Sequence, residues 1–382
     1  KNVDGGKKLL YGTLEADVAD NTTVSVGAIW QDVKSVLSRG LPTWADGTLI
    51  QLPRSAMPVL HWNRQRMETR DYFAELEHRF ANQAVLKATV RRTERTNDGK
   101  YTDPTPPDAT GWMTGLTSSA FERKDTDTSG DLYFNTPLHW GGRTHNLLLG
   151  TDWRETRALA HYAPYPGPPT GRINLFDPDP HAIAEPSFNM NANLGDTTTK
   201  AHGAYGQLRV KVLDALTLIG GGRLSWWKSA GESWGVKSNY KASSEFTPYA
   251  AAVYQLAPSL SAYGSYSQIF KPQNSRTVGG DQIKPRTGAQ IEFGLKGEAM
   301  DGKLQYSAAV FRITDQNRAM ADPANQGFSI ASGKVRSQGF ETEVRGRLTP
   351  NWQLTAGYAY TTTKYLVGTT AQQERDWRAF CA

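Results

Sequence analysis

The chain has 382 residues, a formal net charge of +6, and is 38% hydrophobic and 21% charged. Lys and Arg are interleaved with Asp and Glu, with no basic run or recognition helix, which argues against a nucleic-acid partner. A single cysteine, Cys381, leaves no disulfide framework and no thiolate metal site, and no stretch is long and apolar enough for a transmembrane helix, which leaves crossing by strands open.

In chain order the pattern is strand, short turn, strand, long loop. Residues 9–18 and 23–33 form the first pair, turning at Ala19-Asp20-Asn21-Thr22. Residues 37–65 form a long loop holding Gly40-Leu41-Pro42-Thr43-Trp44 and Leu52-Pro53-Arg54-Ser55. The second pair is 67–80 and 84–93, followed by a loop over 96–115 rich in Asp, Pro and Thr. Strands 131–140 and 145–158 flank Gly141-Gly142-Arg143, and the longest loop then runs over 162–197. Residues 199–212 pair with 216–227, and 246–256 with 260–269 across Ala257-Pro258-Ser259.

The stretch 284–365 shows the alternation most clearly. Gln290, Glu292, Gly294 and Lys296 alternate with Ile291, Phe293 and Leu295. Glu341, Glu343, Arg345 and Arg347 share one parity, and Trp352, Leu354, Ala356, Tyr358 and Tyr360 share another. A period of two means strands, because successive side chains point to opposite faces. An oily face backed by a charged one predicts an all-β, antiparallel, up-and-down transmembrane barrel with roughly fourteen strands and a wet interior. A soluble sandwich with its oily faces turned inward is the alternative. Residues 1–366 read as one barrel domain, with 367–382 as a tail unlike a barrel strand.

Chemical motifs are sparse. Asp125-Thr126-Asp127-Thr128-Ser129-Gly130-Asp131 matches the first half of a calcium loop, but Thr136 stands where the bidentate Glu belongs, so an ordinary acidic loop is expected. Seven histidines show no metal-ligand spacing. Phe176-Asp177-Pro178-Asp179-Pro180-His181 reads as an extended surface loop. No nucleophile elbow, phosphate loop or zinc-protease motif is present, so no enzyme is expected. The strongest functional signal is aromatic: Trp44, Trp112, Tyr162, Tyr165, Phe176 and Trp234 lie on the long-loop side, where flat, polar-edged groups suit capture of a bulky ligand. The same residues could instead pack the loops on one another.

Several stretches together resemble the TonB-dependent ferric-siderophore receptors of the hydroxamate and pyoverdine type. They are Tyr11-Gly12-Thr13-Leu14-Glu15-Ala16-Asp17, Ile283-Lys284-Pro285-Arg286-Thr287-Gly288 leading into Glu292-Phe293-Gly294-Leu295-Lys296-Gly297, and Arg336-Ser337-Gln338-Gly339-Phe340-Glu341-Thr342-Glu343. The resemblance implies a plugged barrel of about twenty-two strands. Against that pattern the chain reads as a middle section without plug, TonB box or closing strands. An open section of this kind is expected not to insert stably on its own. The resemblance further implies a Gram-negative outer-membrane receptor and transporter, a monomer, with a ferric siderophore as cargo, the TonB complex and outer-membrane lipid as partners, and no cofactor, since the siderophore holds the iron. Trp44, Trp112, Tyr162, Tyr165 and Trp234 are the expected aromatic contacts, and Arg318 the expected contact at an anionic rim. A same-fold receptor for haem, cobalamin or a glycan, and a soluble β adhesin or carbohydrate-binding module, are the competing readings.

Overall fold

A computed structural model describes residues 5–53, 56–164, 171–191, 193–368 and 377–381. The strands are β1 Gly6–Ala19, β2 Thr22–Ser35, β3 Arg64–Arg79, β4 Val85–Asp103, β5 Trp112–Met113, β6 Thr117–Trp140, β7 Arg143–Pro164, β8 Ile173–Asn174, β9 Asn193–Lys211, β10 Leu216–Ser233, β11 Val236–Ala257, β12 Leu260–Lys271, β13 Arg286–Ala299, β14 Leu304–Ala321, β15 Ser329–Thr349, β16 Trp352–Val367 and β17 Trp377–Cys381. Fifteen of them form one antiparallel meander in chain order, from β1 to β17, while β5 and β8 pair separately as a small two-stranded sheet. The described residues contain no helix.

Parity explains the wall. On one face lie Leu14, Val26, Val90, Leu132, Leu149, Phe293 and Val310, and this face is open: Leu14 is 67% exposed and Phe293 60%. No second sheet covers it, since the main strands contact only their sheet neighbours among the described residues. The sandwich alternative, which requires those side chains to be buried, is thereby excluded. The opposite face carries charge. Asp71 accepts from Arg91 at 2.9 Å and from Thr93 at 2.5 Å, and Asp127 from Arg154 and Thr156, each at 2.6 Å. Where glycine interrupts the wall an aromatic ring closes the gap: a Cβ on Gly294 would lie 2.6 Å from the Tyr263 ring, whose hydroxyl donates to Glu292 at 2.6 Å.

Three sequence expectations need correction. The acidic stretch 125–131 is the interior of β6 and not a loop; Asp127 is satisfied by Arg154 and Thr156, and Asp131 accepts from the Tyr205 hydroxyl at 2.8 Å. Residues 228–245 are not a loop either. β10 and β11 continue through them to a two-residue turn at Trp234-Gly235, with φ of 55° and 75°, the left-handed pair that suits strand twist. Likewise β4 runs ten residues past the expected end, to Asp103. All three stretches are polar at both parities, so alternation fades where both faces meet water. The tail expectation also fails in part: Trp377–Cys381 pairs with β16 from Thr363↔Trp377 to Ala359↔Cys381, because the edge of β16 offers unpaired backbone groups that a following segment can satisfy. The rest of that tail, 369–376 and residue 382, lies outside the described residues.

Candidate functional site

All the long connections leave the same end of the wall, and three of them fold together. Leu60 and Trp62 from the β2–β3 loop, Met113 and Leu116 from the β4–β6 loop, and Ile173, Leu175 and Ile183 from the β7–β9 loop form the one buried apolar cluster of the described residues. Polar contacts fix it. Trp62 Nε1 donates to the Ile183 carbonyl at 3.2 Å, and the His61 and His181 rings stack at 4.4 Å. Asp108 Oδ1 accepts from the Thr110 N–H and hydroxyl and from the Trp112 N–H, at 2.9, 2.7 and 3.0 Å. The Thr110 hydroxyl, followed by the Trp112 amide, holds the Asp108 carboxyl below its ordinary range. Lys100 on β4 donates to Glu185 in the third loop, and that bond lowers the Glu185 pKa.

Beside this loop unit, on the charged face of the wall, sits an aromatic group. Tyr101 is buried at 8% exposure. Its neighbour Ser119 has its hydroxyl 2.9 Å from that of Tyr162, and the Tyr162 ring lies 5.5 Å from that of Trp234. The Arg39 guanidinium stands 5.1 Å over the Tyr101 ring and pairs with Asp103 at 3.1 Å. Below the group a cleft of about 710 Å³ runs along the charged face past Thr69, Asp71, Arg91, Arg95 and Arg123. Arg91 is paired with Asp71 and Arg123 with Asp125, both at 2.9 Å. Arg95 has no carboxylate partner among the described residues, so the cleft keeps an uncompensated positive charge suited to an anionic ligand.

The expected site residues separate into three places. Tyr162 and Trp234 come together at the loop end of the charged face, the mouth of the wall, apart from the residues that line the cleft. Trp44 lies on the loop unit, 6.4 Å from Phe176, and Trp112 lies there too, with the Arg172 guanidinium 4.0 Å above its ring. Arg318 is on the charged face of β14, where buried Asp315 accepts from it at 2.9 Å and also from Arg286 at 2.6 Å. Tyr165 lies outside the described residues. Arg39, Tyr101 and Arg95 were not expected. The missed signal for Arg95 is that it continues the parity of Lys87 and Arg91, which is legible only when the strand is extended. Among the described residues no group of three or more His, Cys, Asp or Glu is placed to hold a metal ion.

Residues 11–377 match the family described as TonB dependent receptor-like, beta-barrel. The chain is 35% identical over 388 aligned residues to the ferric-pyoverdine M114 receptor PbuA of Pseudomonas sp. strain M114, covering 96% of this chain and 47% of that protein. It is 32% identical over 374 residues to the ferripyoverdine receptor of Pseudomonas aeruginosa PAO1, covering 92% and 44%. The crystal structure of the Pseudomonas aeruginosa ferripyoverdine receptor bound to ferripyoverdine superposes with a TM-score of 0.86 at 27% identity, over 99% of this chain and 52% of that one. The FpvAI–pyocin S2 complex gives 0.88 at 28% identity, over 99% and 53%. The chain thus spans about half the length of the relatives it matches, 47% and 44% for the two receptors. Sequence match, meander topology and the open apolar face agree, and the chain belongs to the TonB-dependent receptors, as outer-membrane β-barrel.

Proposed function

We infer that this chain builds the wall and outer loops of a receptor that captures a ferric siderophore of the pyoverdine class and passes it inward, energised by TonB acting through a region N-terminal to the barrel. The observation that carries this is the mouth itself. Tyr162 and Trp234 offer flat surface at the loop end of the face that lines the interior, and the unpaired cation Arg95 lies deeper on that face, about 20 Å along β4 from Tyr101. Aromatic faces stack on flat ligand surface, and a cation takes up negative charge. The bond-making chemistry is nil: iron enters as cargo in its chelate, so selection rests on shape and charge. Trp44 and Trp112 act from the loop unit, as outer contacts. Arg318, half-neutralised through Asp315, serves the rim by position more than by net charge.

The test is iron-55 uptake by a siderophore-deficient Gram-negative host carrying the receptor, supplied with ferric pyoverdines, a ferric hydroxamate, haem and cobalamin. Uptake of at least one ferric pyoverdine that stops when TonB is deleted is expected. Trp234→Ala with Tyr162→Phe should weaken ferric-siderophore binding about tenfold, from roughly 1 kcal/mol of aromatic contact and the lost hydroxyl. Uptake of haem or cobalamin in place of every chelate would replace this reading with a same-fold receptor of another cargo.

A further inference from the structure

The β10–β11 hairpin is flanked unequally. On one side β9 ladders with β10 as far as Gly195↔Ser233, at the turn. On the other side the last rung between β11 and β12 is Tyr249↔Ser267, so β11 runs from Pro248 to Val236 with no strand beside it. The turn sets which backbone groups that edge presents. It closes on Ser233↔Val236, and in a two-residue hairpin the closing pair exchanges both of its bonds. Alternation then points the backbone groups of Val236, Ser238 and Tyr240 at β10, and those of Lys237, Asn239 and Lys241 away from it. The Lys241 N–H fits this phase, since it donates away from β10, to Gln282 Oε1 at 2.8 Å. Gln282 belongs to the β12–β13 connection, which also brings the Arg276 guanidinium 5.0 Å over the Tyr240 ring. One side chain thus stands in for one rung. Nearer the turn, the N–H and C=O groups of Lys237 and Asn239 have no partner among the described residues.

A bare edge of donors and acceptors is a template for a further strand, and the side chains around this one select the strand. A cleft of about 690 Å³ lies against the edge, with Glu232, Lys237, Asn239 and Arg276 in its lining. Lys237 is exposed and makes no ion pair among the described residues, although Glu232 stands opposite it on β10. Arg276 donates to the Tyr240 hydroxyl at 3.4 Å and to the Gly280 carbonyl at 3.0 Å, neither of them an anion. Asp196, which also lines the cleft, is taken by Arg157 at 2.6 Å. Two free cations against one free carboxylate leave the cleft positive. A lysine on an edge deters neutral and basic strands and favours a strand with an acid directly opposite. A second copy of the same hairpin is disfavoured on this ground, since edge-to-edge pairing would bring lysine against lysine.

We propose that the Lys237–Asn239 edge of β11 is a docking site for a protein partner that adds an acidic segment there as an extra antiparallel strand. The edge dictates the register. A partner residue opposite Lys237 shares its face and turns its own N–H to β11, so one residue supplies both the acid and the backbone bonds. The described sheet does not close on itself, so the test uses the receptor with its wall closed, in outer-membrane vesicles of a Gram-negative host, and not the refolded chain. The probes are end-blocked, fluorescein-labelled heptapeptides of alternating glutamate and threonine, the same with lysine for glutamate, and two N-methylated forms of the first, one methylated at the glutamates and one at the threonines. Binding is read by fluorescence polarisation against vesicles lacking the receptor. The glutamate peptide should bind about tenfold tighter than the lysine peptide. Methylation at the glutamates should weaken it about tenfold, and methylation at the threonines, whose N–H groups face away, about twofold at most. Asn239→Pro removes an edge N–H but no bond to β10 and should also cost about tenfold. Lys237→Glu should make the lysine peptide the tighter binder, and it decides the matter if the proline variant loses its heat-modifiable gel migration. No binding of the glutamate peptide, an equal effect of the two methylation patterns, an unchanged Asn239→Pro receptor with native migration, or an unchanged preference in Lys237→Glu would overturn the proposal. So would Asn239→Cys receptors that crosslink to each other and bind no peptide, because a second copy would then hold the edge.

Discussion

At the scale of single residues, the contacts that make the mouth are long-range in sequence. Tyr162 and Trp234 meet only because β7 pairs with β9 and β9 with β10, with Tyr162↔Asn193 and Gly195↔Ser233 setting the register. Their aromatic character and their place on the long-loop side could be read from the sequence, but their meeting could not. Arg172 over Trp112 and Arg39 over Tyr101 were hidden for the same reason. Arg318 differs, since its partner Asp315 is three residues away and the shared carboxylate was within reach of a local reading. The loop ion pair gives a prediction with a definite sign. Lys100 holds the Glu185 pKa below its ordinary 4.5, so the pair's contribution is fully present above that value and is lost as pH falls through the lowered pKa. The Glu185 side chain is 36% exposed, and screening leaves about 0.5 kcal/mol, roughly a twofold change in local opening. Protease cleavage within 171–191 should therefore rise about twofold between pH 7 and strongly acid conditions, using an acid-active protease. Glu185→Gln should show the higher rate already at pH 7 and no further rise from this pair. An identical acid response in wild type and variant would remove Lys100–Glu185 as its cause.

At the scale of elements, period-two alternation located strands wherever one face meets oil and the other water. It failed where both faces are wet. Residues 92–98, Arg92-Thr93-Glu94-Arg95-Thr96-Asn97-Asp98, have no apolar parity at all, yet they lie within β4 because the wall continues beyond the hydrocarbon. The β10–β11 hairpin was cut short on the same ground, although Trp234-Gly235 supplies the turn chemistry. The loops invert the usual rule: the described residues find their buried core there and not between sheets. Leu60, at 1% exposure, packs one loop against the two others. Leu60→Ala should destabilise that unit by about 3 kcal/mol, the lost transfer energy plus a cavity. Because the strands hold one another through their own ladders, the loss should stay local. Amide hydrogen exchange should speed more than tenfold in 56–63, 112–116 and 171–185 and remain unchanged in the middle of β13 and β14. Equal acceleration in those strands would mean that loops and wall unfold as one unit.

At the scale of the whole molecule, side chains decide which face meets what, and backbone groups decide whether the wall can stand in a bilayer. The sheet of the described residues begins at β1 and ends at β17, and no pairing joins the two. β1 is fourteen residues long and bonded on one side only, to β2, which leaves about seven residues with outward N–H and C=O groups. Each such group costs several kcal/mol in hydrocarbon. Their sum is tens of kcal/mol, larger than the gain from exposing Leu10, Leu14 and Val18 to lipid at about 2 kcal/mol apiece. Edge against face is therefore settled by the edge. The 382-residue chain refolded by itself into phospholipid vesicles should give no heat-modifiable band on cold gels and no protease-protected core. Supplying further strands that pair with both β1 and β17 and close the circuit should restore both. A protected, heat-modifiable band from the chain alone would require its edges to find partners, through a second copy or through β1 pairing with β17, and crosslinking between cysteines placed at Thr13 and Ala379 would tell intramolecular closure from dimer formation.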